Sequence, residues 1–479
     1  MVRFLLVSLL AIGVTASALA QPVGPSAAWP FDELTLANGA SLRGLLLDDL
    51  PQGVRFQVVR RAAGRPTVTL TLWFDRAEVA KVTKLPNADR MTLKEKLATL
   101  DPTGTSERAR MDGLELVAAE WLGKPAAAKR YTSDQFVLVS GAPDEVTRRA
   151  AVRLEQIYTA FTRFLPPRVP SGAVTTVLLA GSVDDYRAAV GPAAGLVLNP
   201  AIFDPVHHRI ICGSDLNRLG AELTANRLHH MQQLAGLDRY ETEVRQLYRG
   251  QKDDLARFLD SATRERKKVW AAERANDAAF HAATRRLFAI LFHEAFHSYV
   301  TTFVYPPLPV AEVRAGKGTG ELPRWLNEGL AQIFETAVLE AGELQVGHAD
   351  AVRLEKVQQL LAGKPLAPGT PVGLVPMAEL LRAGKDAFLT AHSDDRAASN
   401  RVYLTSWAAT FYLTFEKRRI GSKAFDTYLI DVNGGGNPVS AFETLIGEDL
   451  PTFEANLREY LTRLQPDGAL RPVKSTTRR

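Results

Sequence analysis

Cysteine is nearly absent from this chain: Cys212 is the one example in 479 residues. A single thiol excludes an internal disulfide, and a chain of this length can build its core without one. Cys212 closes the apolar run Arg209-Ile210-Ile211, so it reads as a buried strand residue, with a catalytic thiol as the alternative. Long hydrophobic runs are also missing. Beyond the first 20 residues nothing approaches eighteen uncharged apolar residues in a row, so no membrane span is expected. Nor does one sign of charge dominate. Lys and Arg number 58 against 53 Asp and Glu, a formal net charge of +5, and the signs are mixed along the chain. That pattern does not imply nucleic acid as a partner.

The first 20 residues read as a secretory signal peptide. Arg3 supplies the positive start, Phe4 to Val14 the apolar run, and Ala18-Leu19-Ala20 the small residues before cleavage. No cysteine follows Ala20, so a lipid anchor is not expected. Export to the periplasm or beyond is the expectation.

What is present centres on His293-Glu294-Ala295-Phe296-His297. The flanks RRLFAILFHEAFHSYVTTF contain no Gly or Pro, and their apolar residues recur at helical spacing. Two imidazoles four residues apart share one helix face and can grip one Zn2+ from the same side. Glu294 sits at the edge of that face, where a general base for water attack is needed. The third ligand is expected from LPRWLNEGLAQIFE, a second helix with Pro323 in its first turn. Glu328 is the candidate, and Glu335, two turns further on, is the weaker alternative. A His2Glu set leaves one position open for water.

Around this motif the chain divides as follows. Residues 28–86 alternate apolar and polar positions around turns such as Asn38-Gly39, as a small β-barrel or sandwich would, with an SH3-like rhythm. Residues 87–132 read as a helical connector, with DGLELVAAEWLGK as its clearest helix. From residue 133 strands and helices alternate, giving an α+β domain with a mixed sheet that extends to residue 465. The strand at Cys212 is a candidate for pairing with an extended peptide. Residues 215–286 contain no Pro and read as two long amphipathic helices meeting near Gly250-Gln251. They form either an ordinary charged surface or an arm that binds a partner protein. The pairs His207-His208 and His229-His230 are expected on the surface. Residues 304–323 and 362–375 read as loops, and RPVKSTTRR as a basic tail within residues 466–479.

His293-Glu294-x-x-His297 followed by Trp325-Leu326-Asn327-Glu328-Gly329-Leu330-Ala331 resembles the gluzincin metallopeptidases. More narrowly it looks like the peptidase-MA-like families of exported bacterial proteins, and Tyr403-Leu404-Thr405-Ser406-Trp407 is similar to the Tyr-x-x-Ser-Trp helix of those families. The resemblance implies a zincin-like catalytic domain and a peptide or protein substrate. It also implies a tyrosine that hydrogen-bonds the tetrahedral intermediate. By position this is Tyr403, with Tyr412 as runner-up. Relatives place an acid one turn after the ligand glutamate to hold a ligand histidine. Gln332 occupies that position here, and Asn327 is a second candidate for the role. The expected function is a secreted zinc metallopeptidase. The alternative is a catalytically silent zincin-fold binding or scaffold protein of the cell envelope.

Overall fold

Alternating burial builds the first unit. β1 (Asp32–Leu36), β2 (Ser41–Leu50), β3 (Gly53–Arg60), β4 (Val68–Asp75) and β5 (Val79–Thr83) form an antiparallel sheet in the order β4-β3-β2-β1-β5. Leu34, Leu46, Val54, Phe56 and Val58 make its core. Here and below the structure is a computed structural model. It describes residues 29–471 except 61–67, 99–104, 171–173, 193–198, 316–317, 341–342, 347–348, 385, 390–395, 467 and 469. The expected signal peptide and residues 472–479 of the basic tail therefore lie outside the described residues. β5 returns beside β1, so β4 and β5 lie at opposite ends of the strand order. Asp32 is fully buried and accepts the N–H groups of Leu46 and Leu85, both at 2.7 Å, and Arg90 Nε at 3.3 Å. Through Arg90 it clips α1 (Asn87–Ala98) to the sheet. α2 (Thr105–Asp112) follows.

The expected helix in DGLELVAAEWLGK is a β-hairpin instead. β6 (Val117–Trp121) and β7 (Lys124–Thr132) are joined by Leu122-Gly123, with φ of 48° and 82°. Two successive positive φ angles make the tight turn whose twist suits a hairpin. The Ala, Glu and Leu of this stretch favour a helix, but propensity is a weak prior, and pairing of β7 with β8 outweighs it. The larger unit thus begins at Val117, not at residue 133.

Its mixed sheet contains β8 (Phe136–Ser140), β9 (Thr175–Ala180), β10 (Ala201–Asp204) and β11 (Arg209–Gly213), in the order β10-β11-β9-β8-β7-β6. β8, β9 and β11 run parallel, while β10 forms an antiparallel edge. α3 (Asp144–Phe164) crosses from β8 to β9, and α4 (Val183–Val190) follows β9. Cys212 is buried in β11, as its apolar neighbours imply. His207 and His208 lie exposed at the β10–β11 turn.

α5 (Leu216–Leu247) and α6 (Lys252–Tyr299) are the two long helices, antiparallel and packed on each other. α5 buries only Leu216, Gly220, Leu223 and Val244, so most of it is a solvated arm. α6 continues through Val304 as a π-helical turn, and the stretch Lys252–Val304 is long and apolar enough by length and composition to cross a membrane. Its apolar window is 72% buried inside the fold, which is how a core helix passes the same test. At the arm's root, Arg227 bonds Glu273 at 3.0 Å and Asp277 at 2.7 Å and also pairs with Glu145. His230 is not exposed there as expected: its Nδ1 meets Glu273 at 2.7 Å, while His229 is exposed.

The second half is helical. α7 (Val310–Arg314) interrupts the expected loop, and α8 (Arg324–Phe334) carries the Asn-Glu-Gly motif. The short hairpin of β12 (Val338–Glu340) and β13 (Glu343–Gln345) leads to α9 (Ala351–Leu361), α10 (Met377–Leu380) and α11 (Asp386–Leu389). α12 (Arg396–Phe415), α13 (Lys423–Asn433), α14 (Pro438–Ile446) and α15 (Leu450–Arg463) complete a mixed α+β chain.

Candidate metal centre

Aromatic packing brings the two motif helices together. Phe334 of α8 stands edge-on to Phe161 of α3 at 4.7 Å and stacks on Phe296 of α6 at 4.9 Å. Such pairs add about 0.5–1.5 kcal/mol each beyond the area they bury. From the other end, Ser298 Oγ meets Thr175 Oγ1 of β9 at 2.5 Å, and Tyr299 donates to the Leu165 carbonyl. α6 is thereby fixed against sheet and helix on both sides of His297.

Gly329 sets the depth of α8. A Cβ there would lie 2.2 Å from Thr410 Oγ1 and 2.5 Å from the Ser406 carbonyl of α12. Only glycine lets the two backbones approach so closely. The residue after Glu328 is thus dictated by packing, and Ser406 of the Tyr-x-x-Ser-Trp stretch is its counterpart.

The result is a convergent trio. One ligand atom each from His293, His297 and Glu328 lies within 4.8 Å of the others. His293 Nε2 stands 3.0 Å from His297 Nε2, and the Glu328 oxygens lie 3.3 and 3.7 Å from the two imidazoles. Ligand atoms around a tetrahedral zinc, at about 2.0–2.1 Å from the ion, stand roughly 3.3 Å apart. The three separations therefore fit such an ion. The outer ring nitrogens support this fit. His293 Nδ1 donates to Glu335 at 2.6 Å and His297 Nδ1 donates to Asn327 Oδ1 at 3.1 Å. In the neutral ring each acceptor fixes the Nδ1–H tautomer and turns Nε2 inward.

Several expectations are corrected at this point. Glu335 is not a competing third ligand but the carboxylate behind His293, held in turn by Arg353. Gln332 does not hold a histidine. Its amide donates to the carbonyls of Glu328 and Tyr403, both at 3.2 Å, so it ties α8 to α12. Asn327 does play the supporting role. Tyr412 packs on Phe453 and Tyr460 and does not line the site, whereas Tyr403 does. The Tyr403 hydroxyl is engaged by the Phe388 carbonyl at 3.1 Å, and burial pushes its phenol pKa upward. The strand at Cys212 cannot take up a peptide, because β11 is paired on both sides. The free edge belongs to β10, and there the Phe203 N–H already donates to Glu294 at 2.9 Å.

The electrostatics follow from burial. Burial pushes the Glu294 carboxyl up to about 7, against the lowering effect of His293. Burial would also lower His293, but hydrogen bonds to Glu328 and Glu335 outweigh it and raise that imidazole to about 10. Burial lowers His297 to about 4, against the pull of Glu328 and with help from its charged neighbour His293. Burial would raise Glu328, yet His297, His293 and Arg324 hold it down at about 2. Sequence reasoning missed Arg324, whose Nη2 lies 2.5 Å from Glu328. Its spacing of four residues before Glu328 on one helix was the available signal.

His293, Glu294, His297 and Glu328 open onto a cavity of about 510 Å³, lined also by Arg324 and Tyr403. A family model described as a protein of unknown function, DUF1570, matches residues 315–427. That segment holds Glu328, Glu335 and Tyr403 but begins after both histidines. No curated protein and no solved structure matches the chain.

Proposed function

We propose that this chain is an exported, zinc-dependent metallopeptidase that hydrolyses peptide bonds. The observation that carries the reading is the inward-facing trio of His293, His297 and Glu328 beside a half-buried Glu294 in one open cavity. These residues would hold Zn2+, which when bound supplies Lewis-acid polarisation of water and of a scissile carbonyl. Glu294 takes the proton of the attacking water. A carboxyl poised near pH 7 suits that task and the later return of the proton to the leaving amine. The Phe203 N–H holds one Glu294 oxygen and leaves the other to receive the proton. Glu335 and Asn327 keep both imidazoles in register. Tyr403 serves the developing oxyanion once its hydroxyl leaves the Phe388 carbonyl.

Replacement of Glu294 by Gln tests this. Hydrolysis of a peptide library should fall by about 10²–10⁴-fold while zinc content stays unchanged. A variant as active as the wild type would overturn the assignment of the base. The second reading, a silent zincin-fold binding protein, draws on one observation: Arg324 already occupies a Glu328 oxygen. That reading expects zinc to be bound without turnover in the wild type.

A further inference from the structure

The cavity wall carries more positive charge than the ligand set needs. Besides Arg324, two cations of α9 line it: Arg353 and, one helical turn further along the same face, Lys356. Arg353 is committed. It pairs with Glu335 and donates to the Gln332 carbonyl at 3.2 Å. Arg324 is half committed, since Nη2 meets Glu328 while its buried Nε has no acceptor. Lys356 pairs with no carboxylate among the described residues, although it is half-buried in the wall. The cavity therefore sets Glu294, Glu328 and Glu335 against three cations, and a divalent ion on the trio leaves it net positive. A half-buried lysine with no counter-ion in the wall of a reaction site is an anchor for an anion.

We propose that Lys356 is a specificity-determining residue that binds a carboxylate of the substrate. This rests on the metallopeptidase reading and names its substrate class: peptides bearing a carboxylate close to the scissile bond. The carboxylate comes either from the C-terminus or from an Asp or Glu side chain.

The test uses the full chain carrying Glu294→Gln, so that bound peptide is not consumed. Three acetylated hexa-alanine probes are titrated by calorimetry in zinc buffer. One ends in a free carboxylate, one in an amide, and one is amidated with a single internal Glu. The carboxylate-bearing probes should bind about ten- to a hundredfold more tightly than the neutral amide. Added Lys356→Met should erase that difference, and Lys356→Arg should restore part of it. An unchanged thermal melt shows that the Met variant is folded. Preference for the free C-terminus assigns an exopeptidase-like anchor, and preference for the Glu probe assigns a side-chain subsite. Equal binding of all three probes, no binding of any, or a preference that survives Lys356→Met overturns the proposal. Zinc content, measured on the same samples, decides the underlying reading separately. Zinc without discrimination sinks only the anchor, and discrimination without zinc sinks only the metal.

Discussion

Helix α6 carries two clusters of buried polar side chains, twelve residues apart, at His281 and at His293–His297. At the first, Arg149, Arg153 and Arg227 meet Glu107, Glu145, Glu273 and Asp277 across α2, α3, α5 and α6. His281 is neutral there: burial, then Arg153 and Arg149, lower it to about 3, and its Nδ1 accepts from Arg153 at 2.6 Å. At the second cluster two imidazole nitrogens point at each other at 3.0 Å, and the Glu328 oxygens converge on the same space from 3.3 and 3.7 Å. The first cluster has its counter-ions in the chain and lines no part of the cavity. The second converges two ring nitrogens and a carboxylate and faces open space. Burial and histidine are common to both, so neither identifies a site. What separates them is that only the second brings two ring nitrogens and a carboxylate together at the wall of a cavity.

The comparison can be broken most severely at the arm's root. Arg227→Ala removes the cation that Glu145, Glu273 and Asp277 share, leaving Arg149 to the first and third and His230 to the second, and should cost about 1.5–3 kcal/mol of stability while zinc binding survives. His297→Ala should do the reverse, with a small effect on the metal-free melt and no bound zinc. Denaturant melts with and without zinc check both, and equal stability losses would erase the distinction.

The next effect is on packing. Gly329→Ala drives a Cβ into the Ser406 carbonyl, and should cost about 1–3 kcal/mol and displace Glu328, lowering zinc content. Zinc bound normally by this variant would show that the close approach of α8 and α12 is not needed to place the ligand.

Protonation sharpens the contrast further. The folded pKa of His281, about 3, lies below its unfolded value near 6.5. The unfolded chain therefore binds the proton first as pH falls. The stability from burying a neutral ring is complete above about pH 6.5 and is lost between 6.5 and 3. By pH 5 the loss is up to about 2 kcal/mol. A His281→Gln variant should show a shallower decline between pH 7 and 5, and parallel curves would contradict the burial argument.

The smallest effect is expected at Glu335. Glu335→Gln keeps a hydrogen-bond acceptor behind His293 but removes the charge, and should weaken zinc about tenfold by competition titration with a chelator. Unaltered affinity would make Glu335 a structural partner of Arg353 alone.

The sequence makes one of these clusters legible and hides the other. His293, His297 and Glu328 announce themselves because helical spacing places two ligands, and an Asn-Glu-Gly helix follows within reach. The partners of His281 are scattered from Glu107 to Asp277, and only the tertiary fold assembles them. The same limit explains the supporting residues. Asn327 adjoins a ligand and could be named, whereas Glu335 reaches His293 only because α8 lies across α6. Long uninterrupted periodicity made α5, α6 and α12 readable. The β6–β7 hairpin was not, since its Ala and Glu content suits a helix and only the positive φ at Leu122 and the pairing to β8 decide otherwise.

The central claim is that the convergent trio exists to hold a metal ion. Zinc measured by mass spectrometry on the purified chain, beside His297→Ala and Glu328→Ala, tests it most directly. The account predicts about one zinc per chain in the wild type and none in either variant. A wild type that takes up no zinc after supplementation would contradict it.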